Sequence, residues 1–137
     1  IYNMRFNIKI LGKDTKKVAK VVIYNENMEI LMLKRSKYHH KHAGEWDLPG
    51  GHVKINEKLV DGLVRETEEE TGLTIENPVF LKKKKNLYFF YAKYDNKEIK
   101  LSNEHTESAF FKKKKLNNED KFQKIALKVL EKLENEV

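Results

Sequence analysis

The chain has 137 residues, of which 39% are hydrophobic and none is cysteine, and its formal net charge is +7. This length supports one hydrophobic core, so residues 1–137 are predicted to form a single domain, and the lack of cysteine excludes disulfides, thiolate catalysis and cysteine-ligated metal. No apolar run is long enough to cross a membrane and the first residues lack a signal-peptide pattern, which favours a cytoplasmic protein without a membrane partner.

The first predicted element is a β-hairpin. Its strands, Lys17–Tyr24 and Met28–Lys34, are rich in Val and Ile, and Asn25-Glu26-Asn27 between them is prone to turn. A long loop, Arg35–Gly51, comes next. Within this loop, Pro49-Gly50-Gly51 predicts a tight turn or loop and no regular element.

The middle of the chain predicts a helix followed by strands. Asn56 suits the N-cap and Gly72 suits the position after the last helical residue, so a helix of about four turns should lie between them. Four strand candidates follow this helix: Leu73–Leu81, Leu87–Tyr94, Glu98–Leu101, which could pair with the preceding strand through the turn Asp95-Asn96-Lys97, and Ala109–Phe111.

The chain ends in a predicted amphipathic helix. Asn118 is the predicted N-cap, and the charges of Glu119 and Asp120 suit a helix N-terminus. Apolar residues then recur at helical spacing, namely Phe122, Ile125, Ala126, Val129, Leu130 and Leu133. Strands, a central helix, further strands and a final helix together predict an α+β domain with the layers of an α/β/α sandwich.

An acidic run, RETEEETG, occupies Arg65–Gly72 at the end of the central helix. Its Glu66, Glu69 and Glu70 share one helix face beside the buried face, whereas Glu68 points away. Like charges at this spacing cost only a few tenths of a kcal/mol per pair when hydrated, but more in an enclosed site. A divalent cation, Mg²⁺ in particular, would remove the repulsion and take the carboxylate oxygens as ligands. Taken alone, such a run is more typical of a solvated helix face, so the surrounding residues decide.

Residues 51–73 resemble the Nudix box, a pattern of glycine, arginine-glutamate and paired glutamates at fixed spacing. The positions that match are Gly51, Glu57, Arg65, Glu66, Glu69, Glu70, Gly72 and Leu73. Thr67 departs from the pattern, because an aliphatic residue is usual there, but it lies on the core-facing side of the helix and puts no metal ligand in doubt. The flanking segments EWDLPGG and LSNEHTE are also similar to those of Nudix proteins.

The resemblance implies a hydrolase that cleaves a phosphoanhydride in a nucleoside diphosphate linked to another group, with Mg²⁺ or Mn²⁺ as cofactor. It also implies a mixed β-sheet between helices, with the box forming a loop-helix-loop motif. The implied catalytic residues are Arg65, Glu66, Glu69 and Glu70, and the implied metal ligands are Gly50, Glu57, Glu66, Glu69 and Glu70.

The implied roles of these residues differ. Glu69 and Glu70 ligate metal, and the glycine carbonyl completes the site. Glu66 is a metal ligand, the base, or both. Arg65 orients the box glutamates, and Glu57 binds metal through water or braces the loop. Bound cations would neutralise the phosphoryl oxygens and make a water nucleophilic, as phosphoanhydride hydrolysis requires.

Four residues outside the box are candidate substrate-binding residues: Arg35, Tyr91, Glu104 and Glu107. Arg35 ends the second predicted strand and could contact phosphate. Glu104 and Glu107 lie in a segment that loops back towards the metals in similar proteins and supplies a carboxylate base there. Tyr91 lies near the position of a tyrosine in diadenosine tetraphosphate hydrolases. His105 is interpreted as structural rather than catalytic.

The substrate stays open at this level. The stretch EIKLSNEHTESAFF resembles both diadenosine tetraphosphate hydrolases and nucleoside triphosphate pyrophosphatases of the MutT type. A dinucleoside polyphosphate and a nucleoside triphosphate, oxidised nucleotides included, are therefore both candidates. The proline that ADP-ribose pyrophosphatases carry after the box is absent.

Two other classes of protein were weighed against an enzyme. A Nudix-like module that binds nucleotide or RNA without cleaving it would lack box glutamates, and none is lost. A basic nucleic-acid-binding protein would use its lysines, but the runs Lys82–Lys85 and Lys112–Lys115 are not interleaved with base-stacking aromatics. A nucleotide-type small molecule is therefore the expected partner and nucleic acid is not, while a homodimer is left open.

Overall fold

The structure, a computed structural model, describes residues 16–37 and 41–136. The strands are β1 (Val18–Tyr24), β2 (Ile30–Arg35), β3 (Trp46–Asp47), β4 (Gly50–His52), β5 (Val79–Lys84), β6 (Leu87–Lys93) and β7 (His105–Phe111). The helices are α1 (Leu59–Thr71), which follows β4, and α2 (Lys121–Asn135) near the end, preceded by a short 3-10 turn at Lys113–Lys115. In this described part of the chain, neither helix has the length and apolar character needed to span a membrane.

The strands form one mixed sheet with β1 at its centre. Strand β1 runs parallel to β6, with Val18 opposite Leu87 and Tyr24 opposite Lys93, and β5 continues the sheet antiparallel to β6. On its other edge, β1 pairs with β4 near Val18 and with β2 at Tyr24. Strands β3 and β7 both pair antiparallel with β2. The predicted hairpin of β1 and β2 is therefore confirmed.

Two hydrophobic cores lie on opposite faces of this sheet, because side chains alternate along each strand. On one face, Ala19, Val21 and Ile23 of β1 pack in a cluster with Leu63 of α1. On the other face, the core cluster contains α2 and strand residues, namely Val22, Ile30, Met32, Phe89, Tyr91, Ile125, Ala126, Val129 and Leu130. A sheet between two helices confirms the predicted α/β/α sandwich.

The prediction that Pro49-Gly50-Gly51 forms only a turn or loop was wrong. Gly50 and Gly51 belong to β4 and pair with Lys20 and Ala19 of β1. Gly50 has a φ of 124°, and a Cβ at this position would overlap the carbonyl oxygen of Ala19. Glycine is therefore required both for the backbone conformation and for the close approach of the two strands.

The prediction of a strand at Glu98–Leu101 was also wrong, since residues 94–102 contain no regular element. The amide of Lys100 donates to the carbonyl of Thr71 at 2.8 Å, and the amide of Ser102 donates to that of Glu70 at 3.2 Å. These carbonyls end α1 and have no partner within the helix. Instead of pairing with β6, the segment satisfies the C-terminus of the box helix.

The strand predicted at Leu73–Leu81 is shorter than expected, because β5 begins only at Val79. Asn77 has a φ of 47° and precedes Pro78, and both features interrupt an extended strand. Leu87–Tyr94 and Ala109–Phe111 were assigned correctly as strand regions, although β7 begins earlier, at His105.

The predicted C-terminal end of α1 was correct, but the predicted N-caps of both helices were wrong. Gly72 ends α1 in the left-handed conformation, as expected, with a φ of 74°. The predicted cap Asn56 is not used, because α1 begins after Lys58, which makes no side-chain cap hydrogen bond. In α2 the N-cap is Asp120, not Asn118, and its side chain accepts from the amides of Phe122 and Gln123.

Candidate active site

Arg65 holds together the acidic groups at the start and the end of the box. Its Nε donates to Oε2 of Glu57 at 2.7 Å and its Nη2 donates to Oε1 of Glu57 at 3.0 Å. Nη1 bonds Glu66 at 3.1 Å and Glu69 at 3.2 Å, and Nη2 also reaches the carbonyl of His52 at 3.1 Å. Hydrogen bonds from Arg65 and from the amide of Lys54 lower the pKa of Glu57 to about 2. The paired hydrogen bonds between the Arg65 guanidinium and the Glu57 carboxylate thus fix the loop before α1 to the helix.

Glu66 and Glu69 differ in their access to solvent. The Glu66 side chain is 19% exposed and lies against β4 (Gly50–His52), the glycine strand, where a Cβ on Gly51 would come within 2.5 Å of its Oε2. The Glu69 side chain is 57% exposed. Glycine at position 51 therefore makes the space that lets the Glu66 carboxylate approach β4.

Glu70 is the buried member of the acidic run, with 5% of its surface exposed. Its Oε1 accepts from the amide of Gly50 at 2.9 Å. Burial raises the pKa of Glu70 to about 8, and the effect is partly opposed by nearby Lys20 and the Gly50 hydrogen bond. Asp47 and Glu104 add like charge and raise the pKa further. A desolvated carboxylate in this setting favours a positive partner.

A buried ion cluster lies beside β4. Lys20, which is 6% exposed, donates from Nζ to Oδ2 of Asp47 at 3.1 Å, to the carbonyl of Leu48 at 3.1 Å and to that of Gly50 at 3.3 Å. Arg35 donates from Nη1 to the same Asp47 oxygen at 3.0 Å. Burial would raise the pKa of Asp47, but Lys20, His105 and Arg35 hold it well below its ordinary value. Through the hydrogen bond from Lys20 to the Gly50 carbonyl, the cluster holds the backbone of the glycine strand in place.

The segment that satisfies the end of α1 also brings Glu104 to the site. The carbonyl of Glu104 accepts from the amide of Ser36, at the end of β2, at 2.8 Å. Carboxylate oxygens of Glu70 and Glu104 and a ring nitrogen of His105 all lie within 4.8 Å of one another. Three side chains that can bind a metal thus meet beside the glycine strand.

Other predicted substrate-binding residues lie elsewhere. Glu107 pairs with Lys34 at 3.3 Å and is 60% exposed, and it is not in the group formed by Glu70 and Glu104. Tyr91 is 7% exposed in the core cluster that faces α2, so its ring packs in the interior. Arg35 is bound to Asp47, as described above, and its side chain is 25% exposed.

Lys20 and Asp47 were not singled out from the sequence, which favoured a structural over a catalytic role for His105. Lys20 did carry a signal, because it interrupts the apolar strand VAKVVIY. Lysine is almost never buried unless it is paired, so a lysine in such a strand indicates a buried acidic partner. Asp47 and His105 gave no comparable signal, since their burial depends on how β3 and β7 pair with β2.

The groups around the glycine strand suit a divalent cation. Hard cations such as Mg²⁺ take carboxylate and carbonyl oxygens. Glu70 offers a buried carboxylate whose pKa is raised by that burial, Glu104 lies close to it, and Glu66 lies against Gly51. The donor set therefore fits Mg²⁺ or Mn²⁺.

Comparison with known proteins agrees with this fold. A MutT protein from Methanosarcina mazei Go1 is 29% identical, with a TM-score of 0.67 over 85% of this chain and 93% of that one. An Ap4A hydrolase from C. elegans, solved as a binary complex, is 26% identical, with a TM-score of 0.62 over 87% of this chain and 96% of that one.

Among curated relatives, the m7GpppN-mRNA hydrolase NUDT17 of Xenopus laevis is 34% identical over 68 residues, which are 50% of this chain and 23% of that protein. The chain spans only 18% to 23% of the length of such relatives. The family model of the NUDIX domain matches much more of the chain, namely residues 14–133. On that match, together with the fold, the chain belongs to the Nudix hydrolase family.

Proposed function

We propose that this chain hydrolyses a phosphoanhydride bond in a nucleoside diphosphate linked to another group, and that it requires Mg²⁺ or Mn²⁺. The two substrate classes are nucleoside triphosphates and dinucleoside polyphosphates. They follow from the likeness to a MutT protein and to an Ap4A hydrolase, respectively.

The observation that carries this proposal is the environment of Glu70. Its carboxylate is buried against the glycine strand, accepts one amide hydrogen bond from Gly50 and lies near Glu104. A solvated acidic helix face would not place a glutamate in this position, because burying an unbalanced charge costs several kcal/mol. A site built to bind a cation explains the arrangement.

The residues of the box would then act as follows. Glu66, Glu69 and Glu70 hold the cations, with the carbonyl of Gly50 as a further oxygen. Bound cations supply neutralisation of phosphoryl charge and activation of water. Glu66 or Glu104 accepts the proton of the attacking water, since Glu66 lies against Gly51 and Glu104 lies close to Glu70.

Arg65 has a positioning role in this proposal. One nitrogen of its guanidinium, Nη1, donates to both Glu66 and Glu69, while Nε and Nη2 donate to Glu57. Arg65 therefore holds the carboxylates of Glu66 and Glu69 in position relative to the loop that carries Glu57. Glu57 acts through Arg65 rather than on the substrate, because both of its oxygens are engaged by the guanidinium.

The test is a substrate panel. The purified chain is incubated with nucleoside triphosphates, diadenosine polyphosphates and ADP-ribose, with Mg²⁺ or with EDTA, and the products are separated by anion-exchange chromatography. We expect turnover of a triphosphate or a diadenosine polyphosphate with Mg²⁺ and none with EDTA. Failure to cleave any compound would contradict the proposal and favour a module that binds nucleotide or RNA without cleaving it.

A pair of variants on one helix tests the site itself. Glu69→Gln should lower turnover by orders of magnitude while circular dichroism shows an unchanged fold. Glu68→Gln is the matched control, because Glu68 is an exposed neighbour turned about 100° around α1 from Glu69, and it should keep a rate close to that of the unmodified chain. Equal rates for the two variants at saturating Mg²⁺ would count against the assignment of Glu69.

A further inference from the structure

His105 is a buried histidine whose polar atoms are not satisfied. It is the first residue of β7, its side chain is 2% exposed, and within residues 16–37 and 41–136 neither ring nitrogen has a hydrogen-bond partner. A buried polar group without a partner costs about 1–3 kcal/mol. Packing alone does not account for a histidine here, because an apolar ring would fill the same space without this cost.

Three carboxylates lie close to the His105 ring. One of its ring nitrogens lies within 4.8 Å of carboxylate oxygens of Glu70 and Glu104. Its Nε2 lies 3.8 Å from Oδ2 of Asp47, which is itself held by Lys20 and Arg35. A histidine that binds a metal through one nitrogen commonly turns the other towards a carboxylate that orients the ring. Asp47 lies near enough to Nε2 to orient the ring in this way, which leaves Nδ1 as the nitrogen proposed to bind the cation.

The backbone holds this group in place independently of any side-chain contact. The amide of His105 donates to the carbonyl of Ser102 at 3.3 Å, and Ser102 in turn donates to the carbonyl of Glu70. His105 pairs opposite Arg35 in the sheet, after the register shift between Lys34 and Arg35. The histidine is therefore fixed between the end of α1 and β2.

We propose that His105 is a nitrogen ligand in a cation site shared with Glu70 and Glu104. This inference rests on the proposed function in that the cation serves the same active site. The site differs from one made of box glutamates alone, because an imidazole favours a transition metal over Mg²⁺, which takes oxygen ligands. The chain should consequently bind Mn²⁺ more tightly than Mg²⁺.

The test uses Mn²⁺ as a paramagnetic probe, and it needs no substrate. Pulsed electron paramagnetic resonance of the Mn²⁺-loaded chain should show coupling to a directly bound nitrogen, and selective labelling of histidine with ¹⁵N should change that coupling. Lack of any histidine nitrogen coupling in the unmodified chain would overturn the proposal. This first measurement requires no variant, so a folding defect cannot obscure it.

A variant then identifies the histidine. His105→Gln should remove the coupling and weaken Mn²⁺ binding by at least about tenfold, because loss of even an orienting residue costs roughly 10- to 100-fold in metal affinity. His42→Gln is the control, since His42 is 60% exposed and paired with Glu45, and it should keep the coupling. Persistence of the coupling in a folded His105→Gln chain would assign it to another histidine and overturn the proposal.

The two proposals fail in different ways. Turnover with Mg²⁺ but no nitrogen coupling would refute the role of His105 and leave the hydrolase intact. Nitrogen coupling at His105 without turnover of any nucleotide would support the cation site and refute the hydrolase.

Discussion

Glu57 and Glu70 lie at opposite ends of the box, and their surroundings give the same side chain two different properties. Glu57 accepts two hydrogen bonds from Arg65 and one from the amide of Lys54, which lower its pKa to about 2. Glu70 is buried, and this burial raises its pKa to about 8. The charge of Glu57 is thus balanced by hydrogen-bonded Arg65, whereas burial disfavours the charged form of Glu70. Two glutamates of one pattern therefore differ in whether hydrogen-bonded protein groups balance their charge.

The largest expected effect distinguishes the two glutamates by activity. Glu70→Gln removes the proposed cation ligand and should lower kcat by roughly a thousandfold or more, since a cation contributes several kcal/mol and each 1.36 kcal/mol is about tenfold. Glu57→Gln should cost much less, because it only loosens Arg65. Steady-state kinetics at saturating Mg²⁺ would measure both, and similar losses would break the distinction.

A second effect is the pH dependence of cation binding. Below a pKa of about 8, Glu70 holds a proton that a cation must displace. Mn²⁺ affinity should therefore rise by up to about tenfold per pH unit as pH increases towards 8, and level off above it. Titrations of free Mn²⁺ by electron paramagnetic resonance would measure this slope. Glu57→Gln should keep the slope, because Glu57 is ionised throughout, and a flat profile in the unmodified chain would contradict the role of Glu70.

The smallest effect is on the stability of the metal-free chain, where the two glutamates should act in opposite directions. The folded pKa of Glu70 is about 8 against an ordinary 4.5, so the folded state retains a proton and loses stability as pH rises through this interval. The folded pKa of Glu57 is about 2, so its charge stabilises the fold above pH 4.5, and this stabilisation is lost as pH falls towards 2.

Urea unfolding in EDTA would measure these opposite signs. At pH 9, Glu70→Gln should raise the free energy of unfolding by about 1–3 kcal/mol, the penalty of an uncompensated buried polar group, and at pH 5 it should have little effect. Glu57→Gln should lower the free energy of unfolding at both pH values. A loss of stability in Glu70→Gln at pH 9 would mean that the protein already balances this charge.

The fold could be predicted from sequence where the signals were local. Asn25-Glu26-Asn27 marks the hairpin, and Gly72 ends α1, because turn chemistry and a left-handed glycine act within a few residues. Gly50 was misread because its strand partner, Lys20, is distant in sequence. The segment at Glu98–Leu101 was misread for a similar reason, since its amides bond the end of a helix and not the neighbouring strand.

The same contrast between local signals and distant contacts applies to the candidate site. The placement of Glu66, Glu69 and Glu70 on one helix follows from helical periodicity, and it requires no knowledge of the sheet. The ion pair of Lys20 with Asp47, and the proximity of His105, depend on which strands lie beside one another. No pattern within a short window contains that information.

Strand β1 pairs with β6 along one edge and changes partner from β4 to β2 along the other. The glycine strand is consequently an extension of the most interior part of the molecule, not a peripheral loop. Gly50 can present its amide and carbonyl in a fixed geometry without first being ordered by a ligand. In the proposed hydrolase, selection among substrates would then come from segments outside this frame, while the glycine strand keeps its geometry.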